Sequence, residues 1–213
     1  MPPVSDASTA DDGSSPLAAG GGRRWSSRQS EILDELEAVF LAEGFRNLTI
    51  ADLVDRLHCS RRTLYTLAPS REELVLIVID RVLGKVATEA ASKAAVTPDP
   101  ADAITAFLGA GVLSLSRARR SFTEDVESYM PTKYLYDRHV HSALGALSRL
   151  VAEGVEQGMF RAYHPPLVAE ILDAAVERIR RPEALARAGV STSQALAELG
   201  ELMRYGLVQA GSA

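Results

Sequence analysis

The sequence has little of what several large protein classes require. It holds one cysteine, Cys59, so no disulfide can close within the chain, and a reducing, cytoplasmic setting is expected. No stretch approaches the run of ~20 apolar residues that spans a bilayer. The N-terminus shows no apolar leader segment, so nothing marks a secreted protein and no membrane partner is expected. Histidine is scarce as well. Stepping back three residues from His58, His139, His141 and His164 finds Asp55, Tyr136, Arg138 and Arg161, so the Glu-x-x-His pair of a di-iron bundle is missing. His-Glu-x-x-His, Cys-x-x-Cys, Gly-x-Gly-x-x-Gly and Gly-x-Ser-x-Gly are missing too. These absences argue against an enzyme and leave no reason to expect a metal or a cofactor.

What remains is a chain able to bury a core. Its 213 residues, 46% of them apolar, suffice for one large domain or two small ones. Three lysines stand against 20 arginines, a bias that speaks to a GC-rich coding genome and not to chemistry. The net charge is −5, which argues against a protein coated in nucleic acid, but the charge is uneven. Residues 1–22 carry three acids and no base, and residues 72–213 carry fifteen bases and eighteen acids. Residues 56–71 hold four arginines (Arg56, Arg61, Arg62, Arg71) and no acid. The positive charge forms a local footprint.

Residues 1–22, rich in Ser, Ala, Gly, Asp and Pro, are expected to be a disordered tail, because they cannot bury enough apolar surface to offset chain entropy. From Ser27 the apolar spacing turns helical, through Ile32, Leu33, Leu36, Val39 and Phe40, and Gly44 stops the first helix. Thr49 caps a second helix, with Asp52 in its first turn and Ile50, Leu53, Val54 and Leu57 as its buried stripe. His58, Cys59 and Ser60 form a break, and Ser60 caps a short third helix from Arg61. Ser70 caps a long fourth helix, with Glu73 completing Ser-x-x-Glu, to about Ala95. Further helices are expected over about 101–116, 121–130, from Pro131 to Gly158, from Pro165 to about Arg180, and from Ser191 or Thr192 to about Gln209. Strand-like alternation is not seen, so the expected fold class is all-α.

Two short helices joined by a three-residue turn make a helix-turn-helix, in which the second helix can enter the major groove of DNA. Helical hairpins are common, so chemistry must raise the signal. Arg61 and Arg62 stand at the N-terminal end of the third helix, where base edges are met, and Arg pairs with guanine in bidentate fashion. Thr63 and Tyr65 offer hydroxyls, and Arg71 a charge, to phosphates. The bland alternative is an arginine pair on a solvated face. For Cys59 a small buried hydrophobe competes with a thiol whose pKa the nearby Arg61 and Arg62 could lower.

The run from Phe45 to Leu74, with Gly44-Phe45, Thr49, Ser60, Thr63-Leu64-Tyr65 and Ser70-Arg71-Glu72-Glu73-Leu74, resembles the DNA-binding domain of the tetracycline-repressor (TetR) family over roughly residues 28–80. The resemblance implies a disordered tail at 1–22, a three-helix DNA-binding domain at 23–72 and a helical ligand-binding and dimerisation domain at 73–213. It implies that Thr49, Thr63, Tyr65 and Arg71 hold phosphates, that Arg61, Arg62 and Thr66 face bases, and that Ser60 opens the reading helix. Two positions depart from the family. His58 stands where glycine would take a positive φ easily. Leu67-Ala68 replaces a His-aromatic pair, which should loosen the third helix against the first.

The resemblance also implies a ligand-responsive regulator, probable repressor in class, that binds a palindromic double-stranded operator as a homodimer. The expected dimer helices are 166–180 and 192–208. A small-molecule effector of largely apolar character with a polar group is expected, and its candidate pocket combines Phe107, Val112, Phe122, Val126, Tyr129, Tyr134, Asp137, His141 and Leu144. Each of these also reads as ordinary core or surface. The rival to a DNA-binding regulator is a helical protein–protein adaptor, or a ligand-binding helical protein that never touches DNA.

Overall fold

A computed structural model describes residues 24–115, 117–179 and 181–207, so the tail expected to be disordered lies outside the described residues. These residues form α1 (Ser27–Glu43), α2 (Ile50–Arg56), α3 (Arg61–Leu67), α4 (Arg71–Ala95), α5 (Pro100–Leu115), α6 (Arg120–Ser128), α7 (Met130–Glu156), α8 (Pro165–Ile179), α9 (Pro182–Ala188) and α10 (Thr192–Leu207). The chain is all-α. The apolar spacing does not foreshadow α9, a seven-residue helix started by a proline and closed by Gly189 in the left-handed region at φ 69°. The expected end of α10 near Gln209 falls outside the described residues.

The starts of the first helices are set by hydroxyl caps. Ser26 and Gln29 form a reciprocal capping box at α1, and Thr49 and Asp52 form another at α2. Ser60 accepts the Thr63 N–H at α3, and Ser70 accepts the Glu73 N–H at α4. Ser191 and Gln194 exchange the same pair of bonds at the start of α10. Serine recurs at these points because a short side-chain oxygen reaches an N–H that the helix cannot satisfy itself.

Two cores follow. The first joins α1, α2, α3 and the first half of α4 through Ile32, Leu36, Phe40, Leu53, Leu64 and Val78, and α6 adds Phe122 and Val126. The second joins the end of α4 to α5, α7, α8 and α10 through Ala90, Ile104, Phe107, Leu147 and Leu172. The 25 residues of α4 reach ~38 Å at 1.5 Å per residue, and both cores use them. This helix is the spine of the molecule.

The first core is tied to α6 by more than packing. Asp125 Oδ2 accepts the backbone N–H of Phe45 at 2.7 Å and of Arg46 at 2.9 Å. The Phe45 and Phe122 rings meet edge to face at 6.3 Å. Gly44, at φ 81°, leaves room for that carboxylate, since a β-carbon there would press on Asp125 Oδ2.

In α7 the glycine at 154 admits the Phe160 ring, which lies where a β-carbon would project. Gly to Ala inside a helix ordinarily gains about 1 kcal/mol. Here Gly154→Ala is expected to lower stability instead, because it displaces the buried Phe160, and urea unfolding of the variant checks the sign.

Candidate functional site

The exposed face of α3 carries Arg61, Arg62, Tyr65 and Thr66, while Leu64 and Leu67 hold the helix to the first core. The Arg61 and Arg62 guanidinium groups make no ion pair among the described residues, and Tyr65 is 51% exposed. Ser60 Oγ lies 2.8 Å from Thr63 Oγ1, so the two hydroxyls at the helix start are coupled. Thr66 Oγ1 donates to Thr63 O at 2.7 Å, which leaves its lone pairs outward but not its proton.

Several side chains expected to meet phosphate are turned to internal work. The clearest case is Arg71. Its Nε donates to Leu48 O at 2.6 Å, and its Nη2 donates to Phe45 O at 2.5 Å and Arg46 O at 3.0 Å. One guanidinium thus gathers the carbonyls of the α1–α2 loop, which have no helical partner of their own. Thr49 Oγ1 donates to Asp52 Oδ2 at 2.6 Å, so its proton serves the capping box and not a phosphate. Arg56 pairs with Glu43, at 2.8 Å between Arg56 Nη2 and Glu43 Oε2, and that guanidinium holds the Glu43 carboxyl below its usual range. Of the four arginines of 56–71, Arg61 and Arg62 are the two that stay open on α3.

His58 takes φ 46°, the left-handed conformation expected at a turn where glycine would be easier. Leu67 and Ala68 are both buried in the first core, so leucine fills space that the expected loosening would have left. Cys59 packs against the first core, and its burial pushes the thiol above its ordinary pKa even though Arg28 opposes the shift. It stays a thiol, against the reading in which arginines activate it.

On the other side of α1, Arg81 Nε meets Glu37 Oε1 at 2.6 Å and Arg81 Nη2 meets Asp34 Oδ1 at 2.7 Å. Lys85 Nζ reaches the same two carboxylates at 2.8 and 2.6 Å. The hydrogen bond from Lys85 is the main cause that holds Asp34 below the usual aspartate pKa. One residue before Arg81, Asp80 Oδ1 accepts Arg138 Nη2 at 2.8 Å and lies 3.0 Å from His139 Nε2.

That histidine borders a cavity of about 150 Å³ in the second core. Leu83, Val86, Ala87 and Ala90 of α4 form one wall, and Phe107, Leu108 and Gly111 of α5 form another. Tyr136, His139, Val140, Ala143, Leu144 and Leu147 of α7 close it, with Val176 and Leu196. Of the expected pocket residues, Phe107 and Leu144 lie here. Phe122 and Val126 instead fill the first core, and Tyr129 packs against it, because α6 belongs to that core. Tyr134 is exposed, His141 is exposed, and Asp137 pairs with Lys133 at 2.9 Å. The Val112 side chain lies outside the described residues. The missed residues follow a second face of α7: stepping back by four from Leu144 gives Val140 and Tyr136, and from Leu147 gives Ala143 and His139. Steps of three and four, through His141, Asp137 and Tyr134, follow the adjacent face instead.

Residues 32–78 match the family model for bacterial regulatory proteins, tetR family. A candidate transcriptional regulator from Saccharomonospora viridis, solved with choline, has a similar structure. Its TM-score is 0.71 at 17% identity, over 87% of this chain and all of that one. A TetR transcription regulator from Haloarcula marismortui gives a TM-score of 0.69 at 13% identity, over 87% of this chain and 100% of that chain. The fatty acid degradation regulator FadR from Bacillus halodurans gives 0.65 at 12% identity, over 86% and 98%. No curated protein matches the chain. At these identities the structures establish a shared fold, and the family-model match establishes the nature of the first domain. The chain is a DNA-binding transcriptional regulator of helix-turn-helix type. Its residues 32–78 are similar to the bacterial tetR family.

Arg71→Ala removes a donor set that three backbone carbonyls share. Stability is expected to fall by about 1 kcal/mol in urea unfolding, the cost of losing hydrogen bonds to part-buried carbonyls. The salt dependence of DNA binding by the folded variant should match wild type, in contrast to a phosphate contact.

Proposed function

We propose that the protein is a homodimeric repressor that holds a palindromic operator until a small molecule enters the cavity beside α4. The observation that carries this reading is α4 itself. Its first half shares the first core with the reading helix, and its second half walls the cavity. A ligand that fits one position of α4 better than another would shift the balance between DNA-competent and DNA-incompetent states. That one similar structure holds choline supports a small-molecule site within this fold. No catalytic step is assigned, and work on chromosomal DNA puts the protein in the cytoplasm. The functional division follows the sequence: reader at 23–72, effector binding and dimerisation at 73–213.

In this reading Arg61 and Arg62 take base edges, Thr66 a neighbouring base, and Tyr65, Thr63 and Ser60 the flanking backbone. Thr49 and Arg71 position the loop that presents them. Selection of bound duplexes from a random pool is expected to return an inverted repeat with half-sites one helical turn, ~34 Å, apart. Arg61→Ala or Arg62→Ala should then weaken that operator by about 1–3 kcal/mol and relax preference at one position per half-site. Selection without any sequence preference would point to the adaptor reading.

The dimer face refines the expected one. Leu167 and Ile171 of α8 and Leu202 and Tyr205 of α10 are more than half exposed, with 58% for Ile171 and 72% for Tyr205. Leu199, by contrast, packs against the second core. Large apolar side chains at this spacing on two helices suit the same face of a second copy related by a two-fold axis. Leu202→Glu is expected to convert a dimer into a monomer in sedimentation at micromolar concentration. A wild-type monomer under those conditions would remove both the dimer and the paired readers.

A further inference from the structure

The chemistry of the cavity wall selects its ligand, on the reading that this cavity is the effector site. Among the described residues that line it, none is Asp, Glu, Lys or Arg. Its polar side chains are Tyr136 and His139, and the rest of the wall is aliphatic, glycine or Phe107. The nearest acidic group of the network behind it, Asp80, already meets Arg138 at 2.8 Å and His139 at 3.0 Å, so its charge is matched before any ligand arrives. A charged ligand entering this space would lose its hydration and find no counter-ion in the wall. That disfavours ammonium compounds and carboxylates alike. The cavity is partly open, and its volume of about 150 Å³ has room for a molecule such as benzene. With Nε2 of His139 engaged by Asp80, the ring nitrogen left for a ligand is Nδ1, and a nitrogen with its neighbour protonated accepts a hydrogen bond.

We propose that the effector is an uncharged molecule of about one ring, apolar over most of its surface, with a single hydroxyl that donates to Nδ1 of His139. The phenols are the simplest members of this class. Binding of such a ligand bears on Asp80, and through it on the helix that also carries Arg81.

Calorimetric titration of the full chain with phenol, toluene, benzoate and choline tests the class without any variant. Phenol is expected to bind at least tenfold more tightly than toluene, the difference of one hydrogen bond to a part-buried acceptor. Benzoate and choline are expected to bind at least tenfold more weakly than phenol. In His139→Phe the phenol affinity should fall to that of toluene while toluene is retained. Equal binding of phenol and toluene to wild type, tighter binding of benzoate or choline, or no binding by any probe overturns the proposal. Fluorescence anisotropy of the selected operator duplex then separates the two readings. Release of the duplex by phenol supports both. Selective phenol binding with the duplex still held keeps the ligand class and removes the effector role.

Discussion

Asp80 and Arg81 are neighbours on α4, and the helix turns their side chains about 100° apart. Asp80 faces α7, where Arg138 and His139 reach it at 2.8 and 3.0 Å. Arg81 faces α1, where Glu37 and Asp34 reach it at 2.6 and 2.7 Å. The spine is therefore pinned on two sides at one level, and it can neither rotate nor slide without loosening one set of charges. Glu37 is buried, so a displacement that parts it from both Arg81 and Lys85 leaves a carboxylate without hydration or a partner. Breaking such a contact is far more costly than the pair is worth when made. That asymmetry opposes small displacements of α4.

A second attachment limits where the first domain can go. Asp125 on α6 holds the N–H groups of Phe45 and Arg46, and Phe122 enters the same core. The reading domain is thus gripped from α4 and from α6, on opposite ends of α1 and its following turn. Thr132 joins α6 to α7, with its Oγ1 at 2.8 Å from Tyr129 O and 3.1 Å from Val126 O. The helix that supplies His139 to the cavity is the helix that Thr132 anchors. Movement of α7 against α4 at the cavity is consequently felt at both grips, which is the geometry a ligand-dependent reader requires.

The helices were legible because their signals are local. A serine or threonine three residues before a partner N–H, an apolar stripe at three and four, and a closing glycine mark α1 to α4 almost to the residue. Only α9 lacked such a stripe. The reading helix was legible for the same reason, since Arg61, Arg62 and Tyr65 alternate with Leu64 and Leu67 by periodicity alone. The roles of Arg71 and Arg56 were not, because each depends on a partner whose approach periodicity does not describe: the loop carbonyls and Glu43. An arginine that serves a loop and one that serves a phosphate look identical in sequence. The cavity was half legible for a related reason. A face of α7 can be followed by steps of three or four, and only packing against α4 decides between Tyr134–Asp137–His141 and Tyr136–Val140–Ala143.

The thin basic face has a consequence for how DNA is held. The chain carries a net charge of −5, so its long-range field does not favour a polyanion. Within the first domain Arg28 pairs with Glu31, Arg46 reaches Ser128, Arg56 pairs with Glu43, and Arg71 holds loop carbonyls. The open guanidinium groups at the reading helix are then Arg61 and Arg62, and each phosphate neutralised releases only about one counter-ion. A single reader of this kind gains little from electrostatics and must draw on base contacts worth about 1–3 kcal/mol each. Doubling the reader through the exposed faces of α8 and α10 adds the second set of contacts at no further entropic cost of encounter. Weak charge per protomer and an apolar dimer face are, on this argument, two halves of one solution. In the proposed dimer, specificity would come from weak attraction to DNA at large, and tightness from two copies that hold the readers in register.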